Sequence, residues 1–189
     1  MLLRTGALLA CALLAGCVSA PPAALTQRGQ VGDFALEARF ALRVSLPDQP
    51  PESSGGRLDW EHRAGHDRLL IANPLGIGIA EIDSGPSGAR LRTSDGRLLE
   101  ADDPDALLET VTGQRLPLRQ LSGWLLGRGA RAQVIDDRHG RPAQLSEAGW
   151  QVDYAYPDDS AGALPERVLL RRADTLELRL RIEHWKTAP

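Results

Sequence analysis

Near the C-terminus, Leu176, Leu178, Leu180 and Ile182 alternate with Glu177, Arg179, Arg181 and Glu183. A period of two puts the apolar side chains on one face of a strand and the charges on the other, so the segment needs one dry face and one wet face. Antiparallel sheets supply that environment, whereas all-parallel sheets are covered on both faces. The same alternation runs through Phe34, Leu36, Ala38, Phe40, Leu42, Val44 and Leu46 against Glu37, Arg39, Arg43 and Ser45. It returns at Leu58 and Trp60, and again at Trp150, Val152, Tyr154 and Tyr156. Shorter strands are predicted at 68–72, 77–82, 89–93, 97–100, 132–135 and 167–171, separated by Gly, Pro and Asp clusters. Many short, one-faced strands point to a barrel or sandwich.

Helical signals are confined to the middle of the chain. Asp102 or Asp103 can cap a helix that opens at Pro104 and closes near Gly113. A second is predicted from Pro117 to Leu126, with Leu118, Leu121, Trp124 and Leu125 forming an apolar stripe that suits the concave side of a sheet. The expected fold class is mostly β with inserted helices (α+β).

The N-terminus has a different chemistry. Arg4 precedes an uninterrupted small and apolar run from Ala7 to Ala15, followed by Gly16 and Cys17. A bilayer core of roughly 30 Å needs about 20 helical residues, so this run reads as the hydrophobic region of a secretory signal. Leu14-Ala15-Gly16-Cys17 resembles the bacterial lipobox, whose cysteine thiol accepts a diacylglycerol. The expected organisation is a signal over 1–16 that is removed, a lipidated N-terminus and flexible tether over 17–32, and a domain over 33–189. Cys11 leaves with the signal, so the mature chain has no disulfide and must be held by packing. The net charge of −3 becomes more negative once Arg4 is removed, which argues against a nucleic-acid partner.

No constellation carries enzymatic chemistry. His62 and His66 are four apart, but Gly65 and strand-like flanks make a shared helical face unsuitable, so they read as solvated surface histidines, with no metal site. Asp136-Asp137 and Asp158-Asp159 sit in turn sequences, where carboxylates serve the backbone. Residues 83–88, Asp-Ser-Gly-Pro-Ser-Gly, read as a hairpin loop and not a phosphate cradle. Asn73-Pro74-Leu75-Gly76 is a turn with a large apolar side chain at its centre. Leu75 can fold back over the core or protrude, and the residues alone leave both open.

Taken in order, Asn73-Pro74-Leu75-Gly76 after a strand, Gly113 with Leu116-Pro117, Leu121, Trp124 and Gly127, Gly149-Trp150 with Tyr154, Leu164-Pro165, and Ile182 with Trp185 resemble the LolB family of outer-membrane lipoprotein receptors. The resemblance covers most of the mature domain. Gly129 departs from it, standing where a proline is expected after the Trp124 helix.

The resemblance implies an open antiparallel half-barrel with helices covering an apolar concave face, which holds the acyl chains of other lipoproteins. Candidate lining residues are Phe34, Leu36, Phe40, Leu42, Trp60, Leu69, Ile71, Leu91, Trp124, Trp150, Val152, Leu178, Leu180 and Ile182. It also implies a periplasmic donor, LolA, lipoprotein cargo, and insertion of that cargo into outer-membrane lipid through the protruding Leu75. No cofactor is implied beyond the N-acyl and S-diacylglycerol lipid on Cys17, and the expected state is a monomer. Val18 lacks the aspartate associated with inner-membrane retention, so the implied location is the periplasmic side of the outer membrane. The rival reading is a structural or adaptor lipoprotein with a solid core, and a hydrolase is a distant third.

Overall fold

A computed structural model describes Arg28 and residues 31–187. The expected signal, Cys17 and the tether up to residue 27 lie outside these residues. Strands β1 (Phe34–Val44), β2 (Glu52–Arg63), β3 (His66–Ala72), β4 (Gly78–Gly85), β5 (Gly88–Thr93) and β6 (Leu98–Ala101) come first. Helices α1 (Pro104–Thr112) and α2 (Leu118–Leu125) follow, then β7 (Gln133–Asp136), β8 (Pro142–Glu147), β9 (Trp150–Ala155), β10 (Arg167–Arg172) and β11 (Leu176–Lys186).

All eleven strands form one sheet in the order β6-β5-β4-β3-β2-β1-β11-β10-β9-β8-β7. Strands β1 to β6 make one antiparallel meander, β7 to β11 make another, and the pairing of β1 with β11 joins them at the centre. This topology dictates where the helices go. Strands β6 and β7 are the two opposite edges, so the segment connecting them has to cross from edge to edge. It crosses the apolar face, where the stripe of α2 buries Leu118, Leu121, Trp124 and Leu125. Asp103 caps α1 by accepting from the Asp105 amide at 3.1 Å, and Gly113 ends it in the left-handed region at φ +70°.

The alternation marks the strands correctly in kind, but their limits differ from those expected. β1 stops at Val44, leaving Leu46 exposed, and Phe40 is half-buried. β2 extends back through Ser53-Ser54-Gly55-Gly56, a stretch with no apolar periodicity. A Cβ on Gly56 would overlap the Ala72 carbonyl, and one on Gly55 would lie 2.8 Å from the Phe40 carbonyl, so glycine is what allows the neighbouring backbones this close. β8 is not anticipated by the sequence pattern, because Pro142 and Gln144 interrupt it. β4 runs on to Gly85, so the loop expected over 83–88 shrinks to its tip.

The domain also begins earlier than Asp33: Val31 is buried in the core, and the Arg28 amide donates to the Gly162 carbonyl at 2.8 Å. Buried apolar residues among those described run from Val31 to Ile182. A non-lipidated chain starting at Val18 therefore carries this whole core.

Candidate functional site

The concave face gathers the candidate lining residues into one cluster. Phe34, Leu36, Leu42, Trp60, Leu69, Ile71, Leu91, Trp124, Trp150, Val152, Leu178, Leu180 and Ile182 are all buried in it, with Phe40 packed at its margin. Beneath the helices lies a cavity of about 50 Å³ lined by Phe40, Leu58, Trp60, Leu69, Ile71, Leu178 and Leu180 from the sheet and Leu108, Thr112, Leu116 and Leu121 from the helical segment. Six of the candidates thus line the space, and the other eight support it as ordinary core. Leu58, Leu108, Leu116 and Leu121 line it without having been expected to, although Leu58 lies on the β2 alternation and Leu121 on the helical stripe.

The size of this cavity decides what it can hold. A dry cavity of roughly 150 Å³ accepts one benzene. A cavity of about 50 Å³ is too small, as it stands, for an acyl chain. Around the cavity the helices meet the sheet through apolar side chains alone apart from Thr112, contacts without directional preference.

Polar bonds hold the helical segment elsewhere. The Trp124 indole donates to Glu147 Oε2 at 2.6 Å, the Arg131 amide to Glu147 Oε1 at 2.6 Å, and the Tyr154 hydroxyl to the Trp124 carbonyl at 2.6 Å. Between the helices, the Leu118 amide donates to Asp105 Oδ1 at 2.9 Å. Burial raises the pKa of that carboxyl, with the bond from Leu118 opposing. The unexpected Gly129 also has its explanation at this point, because a Cβ there would run into the Glu147 carboxylate.

One expectation is corrected. His62 is not a solvated histidine: it is half-buried, stacks on Phe34 with ring centroids 5.4 Å apart, and places Nδ1 2.7 Å from Asp67 Oδ1. The same oxygen accepts from the Trp60 indole at 2.8 Å, so the buried Asp67 joins two aromatic systems. The pair was hidden because β2 and β3 form a tight hairpin that sets His62 directly opposite Asp67. His66 is exposed, as expected. Among the described residues no group of three or more His, Cys, Asp or Glu side chains is placed to hold a metal ion.

The hydrogen bond to Asp67 raises the His62 pKa above 6.5, burial opposes it, and the charges of Asp67 and Asp33 add to the rise. A raised folded-state pKa contributes stability that is fully present below the unfolded value near 6.5 and is lost as pH climbs through the folded value. Urea unfolding at a series of pH values should therefore show stability declining above 6.5 in the native chain and a flatter profile in His62→Gln. Parallel profiles would remove this role for the pair.

The turn residues also do more than end strands. Asp137 accepts from the His139 and Arg141 amides at 2.8 and 3.0 Å and from the guanidinium of the buried Arg141. Desolvation pushes its carboxyl up, but these bonds outweigh it and hold the pKa at about 2. Arg141 also lies 4.1 Å from the Tyr156 ring centroid and donates to the Asp158 and Ser160 carbonyls.

At the β3–β4 turn, the Asn73 side chain organises the loop. Its Oδ1 accepts from the Leu75 and Ile77 amides at 2.9 and 3.0 Å, while the Asn73 backbone amide donates to the Ile77 carbonyl and the Asn73 backbone carbonyl accepts from the Gly76 amide. Pro74 restricts the backbone and Gly76 takes φ +87°. This frame holds Leu75 out at 84 % exposure, with Ile77 beside it at 62 %. Of the two conformations left open by the residues, protrusion is the one adopted.

An open, one-faced antiparallel sheet, a roofed apolar interior and a braced apolar loop at its edge define the class: an open half-barrel with a covered hydrophobic interior. The chain belongs to the outer membrane lipoprotein LolB family, whose model matches residues 32–185. The outer-membrane lipoprotein LolB of Dechloromonas aromatica strain RCB is 55 % identical over 190 aligned residues, covering 100 % of both chains. That of Azoarcus sp. strain BH72 is 35 % identical, covering 95 % of this chain and 94 % of its own. Among solved structures, a putative outer membrane lipoprotein-sorting protein domain from Vibrio parahaemolyticus superposes with a TM-score of 0.49 at 13 % identity, covering 85 % of this chain and 87 % of that one.

Proposed function

We propose that this chain is a lipoprotein receptor of the outer membrane: it takes lipoproteins from the periplasmic carrier LolA, shelters their acyl chains against the concave face, and releases them into the membrane. The observation that carries the reading is the apolar cavity between the sheet and a helical segment that lies over it mainly through apolar contacts. Lipid chains cannot cross water exposed, and a dry interior that widens on demand gives them a place to wait. No covalent bond is made or broken. The driving force is the difference in apolar burial between carrier, receptor and membrane. Cys17, lipidated, would hold the domain at the surface where cargo is unloaded, and Leu75 would enter that surface as cargo leaves.

The test is transfer of a labelled lipoprotein from LolA to the non-lipidated chain in the absence of membrane. Uptake is expected, and its absence would sink the receptor reading in favour of a solid-core adaptor. Filling the cavity should compete with cargo. A larger aromatic at Leu121 that packs into the free space, Leu121→Phe, should stabilise the cargo-free interior by about 1 kcal/mol and lower uptake about fivefold. Unchanged uptake with raised thermal stability would place the acyl chains elsewhere.

A further inference from the structure

The outward face of the sheet carries a feature that cargo binding does not use. Arg57 on β2 pairs with Arg39 on β1, Arg39 with Arg181 on β11, and Arg181 with Arg167 on β10, so four arginines stand side by side across four strands. All four are exposed and all point away from the core, being out of phase with Leu58, Ala38, Ile182 and Val168. Like charges placed directly opposite one another in a sheet are destabilising, so folding gains nothing from the row.

Counter-charges answer it only in part. Glu183 pairs with Arg39 at 2.8 Å, and Glu166 lies 3.9 Å from Arg167. Arg57 and Arg181 have no carboxylate within 4 Å among the described residues, and are answered only at longer range, both by Glu183 and Arg57 also by Asp59.

A groove of about 490 Å³ runs alongside, between this row and the next row of outward side chains, Ala41, Arg179, Leu169 and Asp153. Its walls are arginine stems with Ala41, Ala155 and Leu169. Asp153, the one carboxylate on the groove, is already held by Gln144 and Arg171. The result is an apolar channel rimmed by guanidinium groups.

The row also ends beside the exposed loop. Arg57 is paired with Ala72, the residue before Asn73, and next to it on the same outward face Leu70 and Ile79 are 40 % and 39 % exposed. Together with Leu75 and Ile77 they make an apolar patch at one end of a cationic row. An acidic protein surface would meet the charges and leave the leucines and isoleucines in water. A phospholipid surface satisfies both, taking apolar side chains below its phosphates and arginines among them.

We propose that the arginine row Arg57-Arg39-Arg181-Arg167 on the convex face binds the phosphates of an anionic phospholipid surface and lays the domain on the membrane with the Leu75 loop against it. This is independent of cargo transfer, and a chain that accepts no lipoprotein would bind in the same way. The row sets the angle of approach, which a lipid on Cys17 would not do by itself.

The test uses the non-lipidated chain and no cargo, sedimented with phosphatidylcholine vesicles made with and without phosphatidylglycerol. The native chain should bind the anionic vesicles more tightly, and the preference should fade with salt. Each arginine near such a surface strengthens binding about fivefold, so Arg57→Gln with Arg181→Gln should weaken it about thirtyfold on anionic vesicles and leave neutral vesicles unaffected. The pair Arg57→Lys with Arg181→Lys should keep most of the affinity. Melting temperatures of both variants should stay close to that of the native chain, since both arginines are exposed and neither has a carboxylate within 4 Å among the described residues. Equal binding by the native and glutamine forms overturns the proposal. So does a native chain indifferent to phosphatidylglycerol, which needs no variant to read and would point to an acidic protein as the occupant.

Discussion

In Leu75→Glu, uptake of a labelled lipoprotein from LolA should proceed as in the native chain, while delivery to liposomes falls between about tenfold and a hundredfold. Leu75 is 84 % exposed and lies outside the core cluster, so its replacement leaves the interior and its closure unchanged. Changes at such surface positions alter stability by no more than about 0.5 kcal/mol. Burying a leucine in an apolar phase, by contrast, is favourable by about 1.5–3 kcal/mol, and a carboxylate forfeits that and resists entry. The backbone frame around Asn73 does not depend on the leucine side chain, so the introduced carboxylate would be presented in the same place and fail there for its chemistry. Equal loss of uptake and delivery would instead give Leu75 a role in folding or in docking the carrier.

The largest stability effect is expected at Trp60. This side chain is 1 % exposed, meets the Phe34 ring edge-on at 5.7 Å, donates to the buried Asp67 and lines the cavity. Trp60→Ala should cost about 3–5 kcal/mol in urea unfolding, through lost burial and the void left behind. The same void adjoins the existing cavity of about 50 Å³, so the variant should also gain capacity for a chain-like ligand. Adding a monomeric saturated fatty acid should raise the melting temperature of Trp60→Ala more than that of the native chain, because a ligand bound only by the folded state stabilises it. A variant that loses stability and gains nothing from the fatty acid would show that this part of the interior is not reached by lipid.

The regions that read correctly and those that did not differ for physical reasons. β11 was legible because four apolar and four charged residues alternate without interruption, and a sheet with one wet face is the environment that suits them. β8 and the first half of β2 were illegible because their stability comes from neighbours: Pro142-Ala143-Gln144 and Ser53-Ser54-Gly55-Gly56 carry little preference of their own and are strands because partners on the sheet hydrogen-bond to them. Val31, placed in the tether by composition, is core because the chain ahead of β1 packs against the sheet. His62 looked like a surface residue because its partner, Asp67, becomes its neighbour only when the hairpin closes.

The same division runs through the site. The candidate lining residues were identified as one apolar face, which periodicity can do, and the Asn-Pro-Leu-Gly turn was visible as an anomaly because a leucine occupied a position where polar residues are usual. Periodicity assigns side chains to faces and says nothing of partners. That β1 meets β11, that β6 and β7 become opposite edges, and that the helices must therefore cross the concave face were settled only by long-range pairing. From that arrangement follow the small apolar cavity beneath the helices, the exposed Leu75 and the alignment of arginines from four strands into one row. The alternation along each strand determined that this chain would have a dry face and a wet face, and the tertiary structure decided what each face encloses or presents, because the register between distant strands sets which side chains become neighbours.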